Sequence, residues 1–439
     1  MILIYSPHLS SRLRYTLQFI FEDVCAIDYE TCSDIQYFKD SAATKINYSS
    51  SRITENEFFI KAHGFLNVQG ITDIQLPLQQ DANGIKLFPT TQDDMGFDVF
   101  SAIFYFISRY EEYLPFERDK HGRFEAKESF AFKNGFLTRP IVDEWIVAFQ
   151  EKLSAKFNAL TWSKREFSCK PTIDIDQVFA IRGKSLIRFM KPILLNIINL
   201  NVRNLIYLMK VRLGFEKDPF DQLANFENLH KKYKLNAIYF ILFSKKYSRF
   251  DINISIHNKD FRKSIIETAN TADIGIHPSY HSRYDYKLVE EEIHSLSNVL
   301  NTTINSSRQH YLKLRIPNTY KSLLSTGIAN DYTMGFASMP GFRAGTSHSF
   351  RFYDIKQEQT TFLKIHPFCV MDATFKTYLH YNEEQAFDTI LDLIQKLKKV
   401  NGTFTPLWHN ESMSEYGVWK GWSGLYEKML QVATNNADL

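Results

Sequence analysis

Three places in this sequence put ionisable side chains at spacings that chemistry can use. Asp174 and Asp176 close the run Thr172-Ile173-Asp174-Ile175-Asp176. Residues i and i+2 of a strand point to the same side, so both carboxylates would face one spot. Like charges that close are costly unless a cation or a proton joins them. His277 and His281 bracket Pro278-Ser279-Tyr280. If Pro278 opens a helix leaving a strand, the imidazoles at i and i+4 share one face and can grip one metal ion. His409 ends an apolar run that begins at Thr403. By itself it reads as a core-edge histidine bonded to a backbone carbonyl. Each feature alone has an ordinary explanation, such as a turn for Asp-x-Asp.

The elements around these residues give them a common frame. The first run reads as a strand ending in carboxylates. Ala237-Ile238-Tyr239-Phe240-Ile241-Leu242-Phe243 reads as a second, fully apolar strand, and Asp273-Ile274-Gly275-Ile276-His277 as a third. Helices are predicted over 220–233 and 286–300. This alternation predicts an α/β fold with a parallel sheet, an irregular (β/α) barrel spanning 166–439. Sites in such barrels gather at the carboxyl ends of the strands, where the polar residues above fall. Residues 1–165 read as a smaller, mixed α/β N-terminal domain. It has an opening strand at residues 2–5, another at 58–60, and helices over 97–113 and 140–157. Phe97, Phe100, Phe104 and Ile107 keep helical spacing, and Pro140 suits a helix start. Arg109-Tyr110-Glu111-Glu112 and Arg139-Pro140 read as a polar seam between the two parts.

Composition narrows the function classes. The chain has 439 residues, 44% of them hydrophobic, so a disordered chain is excluded. Lys+Arg 52 against Asp+Glu 49 leaves a net charge of +3, which argues against nucleic acid as a partner. Four cysteines with no Cys-x-x-Cys pair make neither a disulfide framework nor a thiolate zinc site. No apolar run reaches eighteen residues, and the opening Met1-Ile2-Leu3-Ile4-Tyr5 is too short for a signal peptide. The expected address is the cytoplasm, at most peripheral to the inner membrane face. One segment stands apart. From Gln177 to Phe215 there is no Asp or Glu, but seven Lys and Arg residues stand among many Leu, Ile and Met. The commoner use of such a segment is a solvated basic face on helices packed against the barrel. The other is peripheral contact of 181–215 with anionic lipid.

The order of these pieces carries a resemblance over about residues 167–430. The chain resembles the polysaccharide deacetylase superfamily, the chitooligosaccharide-deacetylase-like (NodB-type) metal hydrolases. More narrowly it looks like a Bacteroidetes-type group with its own N-terminal domain. The motifs are the Asp174/Asp176 run, Ile274-Gly275-Ile276-His277-Pro278-Ser279-Tyr280-His281, Ser307-Arg308-Gln309-His310, Gly341-Phe342-Arg343-Ala344-Gly345-Thr346 and Leu407-Trp408-His409.

That resemblance implies a metal-dependent hydrolase removing N-acetyl groups from an acetylamino sugar in a glycan or glycan precursor. An O-acetyl esterase, another amidase, or a non-catalytic glycan-binding protein are the alternatives. It implies Asp174 as general base, oriented by Arg308, with Arg315 a competing match. Asp176, His277 and His281 would hold the metal, and His409 would be the general acid. Because Ile175 separates the aspartates, their two roles can exchange. Asp331 or Asp372 would stand for the family's fourth-motif aspartate. One carboxylate and two imidazoles suit Zn2+ first, then Fe, Co or Mn. Three further residues have weaker roles. Arg343 is read as a binder of an anionic substrate group or as a structural salt bridge. Trp408, with Trp419 and Trp422, is read as a sugar-stacking wall or as core. His310 is read as a partner behind the ligands or a core histidine.

Overall fold

The computed structural model describes residues 1–81, 84–158, 160–282 and 285–435. Strand β1 (Ile2–Tyr5) opens the chain and is buried along its whole length. Strands β2 (Tyr29–Cys32), β3 (Thr44–Ser49) and β4 (Phe58–Lys61) join it in the order β2-β1-β3-β4, all parallel. Against this sheet packs the helix Val99–Ile107, in which every residue is buried. The helix is shorter than the predicted 97–113. Arg109 adopts a φ of 54°, a left-handed conformation that an L-residue helix cannot continue. The helix Ile141–Lys156 matches the predicted 140–157 within a residue at each end.

The second sheet has nine strands. They are β5 (Thr172–Ile175), β6 (Ile238–Ile241), β7 (Asp273–Ile276), β8 (Ser306–Ser307), β9 (Asn330–Asp331), β10 (Phe350–Asp354), β11 (Gln359–Ile365), β12 (Val370–Met371) and β13 (Pro406–His409). Their order is β10-β11-β9-β8-β7-β6-β5-β13-β12. All neighbours are parallel except the β10–β11 pair. The expected barrel is therefore replaced by a sheet that stays open. Among the described residues no ladder joins β10 to β12, and the β12 edge is only two residues long. Close approach in the middle depends on Gly275. A Cβ there would lie 2.5 Å from the Phe240 ring and 2.9 Å from the Ser306 carbonyl oxygen.

One apolar core runs through both sheets. Tyr15 and Phe104 from the first part pack against Tyr353 of β10, with ring centroids 4.8 and 5.4 Å away, Phe104 edge-on. Buried Arg12 pairs with Glu358 at 2.6 Å. Of the expected polar seam, residues 109–112 reach Arg343, whereas Arg139 pairs with Glu144 in the helix that follows it. Arg109 donates to Glu111, Glu112 and the Arg343 carbonyl oxygen, and Arg343 pairs with Glu112 at 2.6 Å. Between β5 and β6 the chain forms a helical hairpin, α1 (Leu186–Ile198) and α2 (Val202–Leu213). Among the described residues no helix is long and apolar enough to cross a membrane.

Candidate metal and catalytic centre

The carboxyl ends of adjacent parallel strands bring the site together. Asp174 lies on β5 with Asp176 just beyond its end, and the register of β13 sets His409 opposite Asp174. His277 follows β7, while Arg308 and His310 follow β8. Asp372 follows β12. Asp174, Asp176, His277, His310 and His409 line one cavity of 320 Å3. The wall is completed by Tyr311, Leu312, Met371, Leu407, Tyr378 and Trp419, and by Arg123 from the first part of the chain. Arg123 is fixed there by Asp119 at 2.7 Å and by the Tyr311 carbonyl oxygen at 2.9 Å.

Asp176, His277 and His310 have ligand atoms within 4.8 Å of one another and could hold a metal ion. His277 Nε2 is 3.2 Å from Asp176 Oδ1, and His310 Nε2 is 3.3 Å from Asp176 Oδ2. Both rings are fixed from behind. His277 Nδ1 donates to the Arg308 carbonyl oxygen. That oxygen only accepts, so in the neutral ring the proton sits on Nδ1 and Nε2 offers a lone pair. His310 Nδ1 meets Asp251 Oδ1 at 2.9 Å, and Asp251 also accepts from the Tyr280 N–H and the Ser248 hydroxyl. A carboxylate or carbonyl behind a ligating imidazole is the usual support of metal sites. Asp176 Oδ1 is buried and accepts no hydrogen bond among the described residues. With His277 neutral, two lone pairs face each other there, and a cation between them satisfies both. The electrostatics agree. Burial opposes charge on His310, but Asp176 and Asp251 carry it up to about 9. Burial likewise opposes charge on Asp176, yet the surrounding imidazoles hold it well below the ordinary carboxylate range.

Two proton-handling groups flank this cluster. Asp174 Oδ1 accepts from Arg308 Nη1 at 2.9 Å. Arg308 is fully buried, and its other donors go to Thr172 Oγ1 and the Tyr332 carbonyl oxygen. Asp174 Oδ2 stays 3.6 Å from His277 Nε2. On the far side Asp372 holds His409 twice, at Nδ1 (2.7 Å) and at the backbone N–H (2.8 Å). Nε2 of His409 then lies 4.0 Å from Asp176 Oδ2. Burial opposes the imidazolium, but Asp372, then Asp176 and Asp174, hold the His409 pKa well above its ordinary value.

Several expected residues sit elsewhere. His281 is exposed and outside the cluster. No helix starts at Pro278, so the i, i+4 geometry never forms, and His310 occupies the place expected of it. Arg315 is exposed, which leaves Arg308 as the arginine on Asp174. Asp331 is tied to Ser307 and Thr333, away from His409. Arg343 is buried against Glu112 and the Gly335 carbonyl oxygen, so it cannot reach a substrate. Trp408 is buried against Tyr426 and does not line the cavity. Trp419 does line it. Asp251 carried no signal in the sequence, because it sits in the irregular chain after β6.

Comparison with known proteins adds the following. Residues 2–158 match DUF7033, a family of unknown function. No curated protein matches the chain by sequence. Among solved structures, a Mycobacterium smegmatis protein assigned to the polysaccharide deacetylases is 12% identical, with a TM-score of 0.40, covering 63% of this chain and 87% of that one. A polysaccharide deacetylase of Bacillus cereus is 10% identical, with a TM-score of 0.30, covering 61% and 88%. An allantoinase is 8% identical, with a TM-score of 0.37, covering 61% and 84%.

Proposed function

We propose that this chain is a metal-dependent hydrolase that removes the N-acetyl group of an acetylamino sugar. The observation that carries the reading is the pairing of two fixed proton-handling groups, Asp174 on Arg308 and His409 on Asp372, across one Asp176/His277/His310 cluster. A divalent cation held by those three residues, zinc by their chemistry, supplies Lewis acidity toward the acetyl carbonyl and lowers the pKa of water.

The chain's own residues would do the rest. Asp174, oriented by the Arg308 guanidinium 2.9 Å away, takes the proton of the attacking water. His409, held cationic by Asp372, gives a proton to the leaving nitrogen, a contribution of about 10²–10⁴-fold in rate. The apolar wall of Leu312, Met371 and Leu407 receives the acetyl methyl and the sugar's apolar face. An amine must be protonated to leave, more so than an alkoxide. A histidine kept charged by a buried carboxylate therefore favours N-acetyl over O-acetyl substrates.

The test is acetate release from N-acetylated and O-acetylated amino-sugar oligomers, with the metal-stripped protein as control. Metal-dependent release from the N-acetyl substrate supports the reading. Release from the O-acetyl substrate alone replaces it with an esterase, and release from neither leaves a non-catalytic glycan-binding protein.

A further inference from the structure

The α1–α2 hairpin has an inner and an outer apolar face. Inside, Phe189, Leu208 and Val211 pack with Ile181 into a small core of their own. Outside, Ile187, Leu194 and Ile198 follow one another at i, i+7 and i+11 and are 86%, 50% and 74% exposed. On α2, Val202, Ile206 and Leu213 repeat i, i+4 and i+11 and are 63%, 53% and 64% exposed. More than half of the large exposed hydrophobic side chains among the described residues fall within 186–215. So dense a concentration of exposed apolar side chains marks an interaction surface.

Charge says what covers it. No acidic residue occurs from 177 to 215. Lys191 lies between Ile187 and Leu194 on the same face, and Arg203 lies one turn before Ile206. Both are exposed, and neither has an acidic partner among the described residues. A second copy packed symmetrically would set this face on itself and bring like charges together. Anionic lipid meets both needs. Headgroups take the cations at the ends of their long stems, and the acyl boundary takes the apolar side chains. The thirteen residues of α1 span about 20 Å, short of a hydrocarbon core of about 30 Å. The hairpin therefore lies along a bilayer and does not cross it. It also packs beside the loop that reaches the cavity. Tyr207 of α2 is 6.4 Å from Tyr416 between ring centroids, and Val418, two residues on, is exposed and lines the cavity.

We propose that the α1–α2 hairpin seats in the headgroup region of an anionic bilayer and holds the cavity mouth at that surface. Only the nature of what is acted on there, an acetylated sugar, rests on the functional reading above. Flotation of the full chain with vesicles of phosphatidylcholine, alone or with phosphatidylglycerol, tests it without using catalysis, so its failure and that of the hydrolase reading stay distinct. The expected result is binding to the anionic vesicles only. Lys191→Glu/Arg203→Glu is expected to weaken it by at least about tenfold, and Ile187→Glu/Ile206→Glu to abolish it. These side chains are exposed, and unchanged circular dichroism keeps lost binding apart from misfolding. Absent binding, or equal binding to both vesicles, overturns the proposal. So does self-association of the wild type, by light scattering, that the variants lose.

Discussion

Asp251 Oδ1 lies 2.9 Å from Nδ1 of His310, and this contact turns the other ring nitrogen toward Asp176. If His310 is a ligand, Asp251 acts through it. Asp251→Asn is then expected to weaken metal binding by about 10–100-fold. Competition with a chromogenic chelator measures it, and unchanged affinity would remove His310 from the ligand set.

Asp174 and Asp176 are two residues apart but sit in different surroundings. Arg308 claims Asp174, while Asp176 Oδ1 has no hydrogen bond among the described residues. Asp174→Asn is expected to lower turnover by about 10²–10⁴-fold and leave metal content intact. Metal analysis beside an acetate-release assay checks both halves. Loss of metal in this variant would exchange the roles of the two aspartates.

His409 has to be protonated to act as the acid, and Asp372 foremost among its neighbours keeps its pKa above the ordinary value. Activity is therefore expected to fall as pH rises through that raised pKa. Asp372→Asn removes the main support of the imidazolium, so the alkaline limb should move to lower pH. A pH–rate profile reads the shift. An unmoved limb would assign it to another group.

Arg343, Glu112 and Arg109 are all buried. Removing one partner of such a cluster strands the rest, at a cost of about 3–5 kcal/mol. Arg343→Ala is expected to unfold at markedly lower urea concentration with KM unchanged in the folded fraction. A raised KM without lost stability would restore a substrate-binding role.

How far the sequence reveals this site depends on the kind of geometry involved. Asp174 and Asp176 are legible because they end a strand-like run, and His409 because it ends the apolar run from Thr403, which the structure pairs beside β5. His281 misleads because the i, i+4 rule presumes a helix, and Pro278 instead leads into irregular chain. The signal for His310 is present but of the other kind. Arg308 and His310 stand at i and i+2 just past β8, the spacing that relates the two aspartates, although His310 already opens a 3-10 turn. Asp251 has no local signature at all. In the fold, strand–helix alternation gives the parallel sheet, but the β12 edge is a strand of two residues, too short to show a period. Trp408 and Arg343 look functional by residue type, and only their burial shows that they serve packing.

The most direct test is metal per chain in four proteins purified without added metal and then equilibrated with zinc. These are the wild type, His277→Ala, His310→Ala and His281→Ala. About one equivalent is expected in the wild type and in His281→Ala, and none in the other two. Metal retained by His310→Ala, or lost from His281→Ala, would contradict the centre described above.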